Sequence, residues 1–93
     1  MIKLTQKTSD EIDRELALRF QSIRKRKKIS RKLLSERSGV SLGSLRRFEE
    51  SGEISLKSLT KLTIAMEISD ELEELFTDVP FASIEEVLNG QSR

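Results

Sequence analysis

Apolar residues recur along the chain at helical spacing, and polar residues fill the positions between them. Ile12, Leu16, Phe20 and Ile23 are separated by four, four and three residues, the interval of one helical face. They predict a first helix over about residues 9 to 27. Thr8-x-x-Glu11 ahead of it has the form of a capping box, and Asp10 and Glu11 suit the positive end of a helix. Next come two shorter stretches, each opened by a serine at the helix start: Ser30 before Arg31-Lys-Leu-Leu, and Ser41 before Leu42-Gly-Ser-Leu-Arg-Arg-Phe. Leu34, Val40, Leu45 and Phe48 form their common apolar face. A fourth helix, 56 to 67, is capped by Ser55 and buries Leu56, Leu59, Leu62, Ala65 and Met66. Ser69 caps a short acidic helix, Asp70 to Phe76, with Leu72, Leu75 and Phe76 turned inward. After Val79-Pro80 a second capping box, Ser83 to Glu86, precedes a last short helix with Ile84, Val87 and Leu88 on one face, ended by Asn89-Gly90. The fold class is all-α.

The two serine-capped stretches carry the chemistry. Gly39 lies just past the first of them, where a left-handed residue lets the chain turn sharply without a Cβ clash. Two helices joined by a short glycine-containing turn form a helix-turn-helix, whose second helix enters the DNA major groove in DNA-binding proteins. A plain helical hairpin has the same pattern, so charge must separate the two readings.

Net charge is only +1, but its distribution is uneven. Residues 19–47 hold eleven bases against one acid, Glu36, whereas residues 48–93 hold three bases against eleven acids. Such a chain presents one basic face to a phosphate backbone, which favours double-stranded DNA as the partner. Ser30, Arg31 and Lys32 sit at a helix start, where N–H groups and cations suit a phosphate, and they position without reading sequence. Ser41 and, in the fourth helix, Lys57 are further phosphate candidates. Base reading falls to Leu42, Gly43, Ser44, Arg46 and Arg47. Arginine can hold guanine O6 and N7 bidentately, so Arg46 and Arg47 are the strongest readers, although a phosphate contact is equally open for each. Ser44 donates or accepts, Leu42 offers apolar contact to a thymine methyl, and Gly43 brings the backbone close.

Other classes are disfavoured. Ninety-three residues allow one domain. There is no Cys and no His, which removes disulfides, thiolate metal sites and the commonest general base. No metal site, cofactor or catalytic residue is expected, and the chain is not expected to be an enzyme. No apolar run is long enough to span a membrane and the N-terminus turns acidic too early for a signal peptide, so a cytoplasmic protein is expected. RNA is disfavoured because single-strand recognition leans on exposed aromatics, and the four Phe occupy apolar-face positions.

Residues 16–76 resemble the Cro/repressor-type, or XRE, helix-turn-helix family, on Arg24, Ser30, Leu34, Gly39-Val40-Ser41, Leu45, Arg47-Phe48-Glu49 and the helix from Ser55 to Ile68. The resemblance implies a compact five-helix, lambda-repressor-like domain, here with a short extra C-terminal helix. It implies that Arg24 pairs with Glu49 as a structural link between the first and third helices. Three departures stand out: Ser35 replaces the usual alanine, Lys28 a common glycine, and Leu42-Gly43 the polar residues that often read bases. The expected layout is a flexible arm (1–8), the DNA-binding domain (9–77, motif 30–49) and an extension (78–93) that touches a second subunit or partner. The expected function is a sequence-specific repressor, binding an inverted-repeat operator as a homodimer. The alternative, also drawn from resemblance, is an antitoxin that neutralises a toxin protein and regulates its own operon.

Overall fold

A computed structural model describes residues 6–78. Within them are five helices: α1 (Ser9–Arg26), α2 (Arg31–Ser38), α3 (Leu42–Ser51), α4 (Leu56–Ala65) and α5 (Ser69–Glu73), with no strand among the described residues. The expected last helix near 84–88 and most of the N-terminal arm lie outside the described residues.

Side-chain caps set four of the five starts. The Thr8 hydroxyl accepts from the Glu11 N–H at 3.1 Å, and the Glu11 carboxylate accepts from the Thr8 N–H at 3.2 Å, completing the capping box. Ser30, Ser41 and Ser55 accept from the N–H groups of Leu33, Ser44 and Ser58, each at 3.1 Å. α5 differs from expectation: it begins at Ser69, its cap position is Ile68, and no side chain caps it. Gly39 ends α2 with φ +76° and Gly52 ends α3 with φ +85°. Ser35 adds a brace across the motif turn, its hydroxyl donating to the Val40 carbonyl at 2.6 Å.

α1 packs on α3, α2 packs on both α3 and α4, and α4 packs on α5. Leu34, Leu45 and Leu62 are fully buried at the centre, with Ala17, Phe20, Val40, Phe48 and Met66 around them. Phe20 and Phe48 meet edge to face with centroids 5.3 Å apart, a geometry that suits the ring quadrupoles.

Three expected faces are corrected. On α1 the buried line is Ala17, Phe20 and Arg24; Ile12 and Leu16 are exposed on its flank. The apolar spacing missed this because the buried stripe includes an alanine and a charged residue. On α4, Leu56 is 71% exposed, while Leu62 and Met66 are buried. Leu75 and Phe76 follow a helix that ends at Glu73, and Phe76 is 91% exposed with φ +64°. The chain turns there instead of completing the turn that would have directed these side chains inward.

Two left-handed positions predict opposite mutational signs. Lys28 has φ +58° without being glycine, a conformation that costs an L-residue about 1–2 kcal/mol. Lys28→Gly is expected to raise stability by up to about 1 kcal/mol, after the unfolded-state entropy of glycine is subtracted. Gly52 lies against α1, and a Cβ there would stand 2.8 Å from the Asp13 backbone carbon. Gly52→Ala is therefore expected to destabilise by more than about 1 kcal/mol. Chemical denaturation of both variants checks the pair of signs.

Candidate nucleic-acid interface

α3 is amphipathic by position. Leu45, Phe48 and Glu49 are buried, so Gly43, Arg46, Arg47 and Glu50 point away from the core at a rotation of about 100° per residue. Leu42 and Ser44 are exposed on the flanks. All five candidate base readers thus stand on accessible α3 surface. Ser44 and Arg47 also line a recess of about 330 Å³ with Glu53, Ile54 and the first turn of α4, at Ser55 and Ser58. That recess places a guanidinium beside the positive end of a helix, a combination that attracts anions.

Glu50 is not among the site residues that the sequence offered. α3 runs on to Ser51, which brings Glu50 onto the same outward face as the two arginines. Its spacing, four residues from Arg46 and three from Arg47, was the available signal. A carboxylate there offers an acceptor for cytosine N4 and lowers the local positive potential.

The phosphate candidates divide by what already occupies them. Ser30 and Ser41 are exposed, but each hydroxyl oxygen accepts from its own helix's N–H, and the Ser41 hydroxyl bonds the Ser44 hydroxyl at 2.8 Å. Lys32 and Lys57 are exposed in the first turns of α2 and α4. The cations Lys25, Arg26, Lys27 and Lys28, at and just past the end of α1, are also exposed. Arg31 is different: its Nε donates to Glu49 Oε1 at 2.9 Å.

That bond belongs to a network centred on Glu49. Arg24 donates from Nε to Glu49 Oε2 at 2.7 Å and from a terminal nitrogen to Oε1 at 2.8 Å, the bidentate fork of a strong ion pair. Its other terminal nitrogen donates to the Ile29 carbonyl at 2.9 Å, and Gln21 donates to Oε1 at 3.1 Å. Arg24 is 6% exposed and Glu49 5%. Among the described residues no buried side-chain nitrogen or oxygen lacks a hydrogen bond. The carboxylate therefore joins α1, α2 and α3 at one point. Burial pushes the Glu49 carboxyl up, but hydrogen bonds from Arg24 and Arg31, attraction to Arg24 and the Gln21 bond outweigh it and hold it below the usual carboxylate range.

Among the described residues no group of three carboxylate, imidazole or thiol side chains is placed to hold a metal ion, and no helix is long and apolar enough to cross a membrane. A family model described as Helix-turn-helix matches residues 20–72, more than half of the chain. No curated protein and no solved structure matches it.

Removing the Glu49 charge strands a buried arginine, so Glu49→Ala is expected to destabilise by about 3–5 kcal/mol. Acid acts on the same bond. The folded pKa lies below the unfolded one, so the unfolded chain takes up the proton first as pH falls. The contribution is whole above the unfolded value, about 4.3, and is lost as pH drops through it toward the folded value. Thermal melts from pH 7 to pH 3 should show a smaller fall for Glu49→Gln than for the wild type. Parallel curves would show that Glu49 contributes no acid lability.

Proposed function

This chain belongs to the XRE-type helix-turn-helix family, and we propose that it is a repressor that binds an inverted-repeat operator as a homodimer. The family is one of DNA-binding transcription regulators and not a catalytic family. The observation that best supports the finer reading is the division of α3 into two faces. Its inner face is locked by Leu45, Phe48 and Glu49, while Arg46 and Arg47 stand free on the outer one. A helix held rigidly on one side presents the other in a defined register.

In this reading Arg46 and Arg47 contact bases, Ser44 hydrogen-bonds, Leu42 meets a thymine methyl, and Gly43 allows close backbone approach. Lys32, Lys57 and the first turns of α2 and α3, at Ser30 and Ser41, hold phosphates. Arg31 reaches a phosphate from the edge of the guanidinium that Glu49 does not use. The mechanism is occlusion of a promoter, with no bond made or broken. Homodimerisation would set two α3 helices about 34–36 Å apart on successive major grooves. Apolar residues stay exposed on α1 and on the α4–α5 side, and a second subunit needs only one of these areas.

The second reading adds toxin binding. It is supported by the acidic face of α5, where Asp70, Glu71 and Glu73, with Glu74 just past it, are all exposed. That surface suits a basic protein partner and not DNA. Co-purification with the product of an adjacent reading frame would support it.

Selection from random duplex DNA over a salt series tests the repressor. An inverted repeat should emerge, with affinity falling steeply as salt rises. Arg46→Ala and Arg47→Ala should each cost about 1–3 kcal/mol and relax base choice at one position. Lys32→Ala should weaken all sequences alike and reduce the salt slope by about 1. Absence of any enriched sequence would sink the proposal.

A further inference from the structure

Away from α3, the α4–α5 side carries an open apolar groove of about 610 Å³. Leu56, Thr60 and Ile64 line one wall, and Leu72, Leu75 and Phe76 the other. Leu56, Ile64, Leu75 and Phe76 are each more than half exposed. Contiguous apolar surface of this kind marks a place where something binds.

We propose that the occupant is the chain's own segment 81–88, seated on the groove within the same molecule. The described chain stops at Asp78, two residues beyond Phe76, which is itself a wall of the groove. Four residues, 77–80, then lead to Phe81, Ile84, Val87 and Leu88. The last three recur at helical spacing, the pattern of a face that needs an apolar partner. So short a tether holds that face near the groove at an effective concentration of about millimolar, which gives it an advantage over a separate copy at lower concentration.

Charge agrees with the placement. Lys57 and Lys61 are exposed on α4, about 100° round the helix from Leu56 and Thr60. They flank the α4 wall of the groove, and the segment carries Glu85 about 100° round from Ile84, at the edge of its apolar face, with Glu86 on the far side. Seating on the α4 side brings Glu85 toward the lysines and away from the α5 carboxylates. The proposal does not depend on DNA binding.

Methyl-labelled full-length protein provides the test. Nuclear Overhauser cross-peaks are expected between the Ile64 methyls and those of Ile84, Val87 or Leu88. An isotope-filtered spectrum of mixed labelled and unlabelled chains should lack them. Cross-peaks in the filtered spectrum would assign the groove to a second copy and overturn the proposal. Absence of cross-peaks in both spectra would also overturn it, leaving the groove open for a different protein.

Discussion

The Glu49 carboxylate is the point on which the domain depends. It is buried and charged, so it is tolerable only while its donors remain in place. Those donors come from α1, through Gln21 and Arg24, and from the start of α2, through Arg31. Glu49 itself belongs to α3, beside Phe48, which packs on Phe20 of α1. One side chain therefore fixes the angle between three helices. Arg24 also ties down the Ile29 carbonyl in the link to α2, so the same network shapes the backbone that delivers Ser30 and Arg31.

This arrangement separates stabilising charge from displayed charge. Of the bases crowded into residues 19–47, Arg24 is buried on the carboxylate and Arg31 is half-withdrawn onto it. The others among Lys25 to Lys28, with Lys32, Arg37, Arg46 and Arg47, are on the surface. Two arginines satisfy one acid, leaving the cluster with a net positive charge directly beneath the basic face. Acids gather elsewhere, three on α5 and two in the first turn of α1. Glu36 on α2 and Glu50 on the outer face of α3 stand among the cations.

Much of the architecture was legible because its signals are local. Serine and threonine caps, the glycine past α2 and the Leu34, Val40, Leu45, Phe48 set all act within a turn or two of their own positions. The family match over residues 20–72 agrees with the five-helix, all-α expectation. What failed was nonlocal. Ile12 and Leu16 fit a helical stripe as well as Phe20 does, yet only the position of α3 decides which side of α1 is covered. Leu56, Leu75 and Phe76 are as apolar as core residues, but α5 ends too early to direct the last two inward. At the candidate interface, Glu50 was hidden because a run of Glu, Ser and Gly has turn composition, while the helix continued until Gly52 supplied its left-handed end. The union of Arg31 with Glu49 had no signature in spacing at all.

The distance along the chain between Arg24 and Glu49 has a consequence for assembly. Twenty-five residues separate them, and a ribosome adds residues at about 5–20 per second. α1, with a good cap and favourable terminal charges, is complete well before its partner exists. Until α3 emerges, Arg24 can remain only as a hydrated surface cation, and the apolar side of α1 has nothing to cover it. Of the five described helices α1 is thus made first, yet the helix it packs on is made third. The native contacts of α1 wait for the third helix, so no N-terminal fragment ending before residue 49 can hold the native packing.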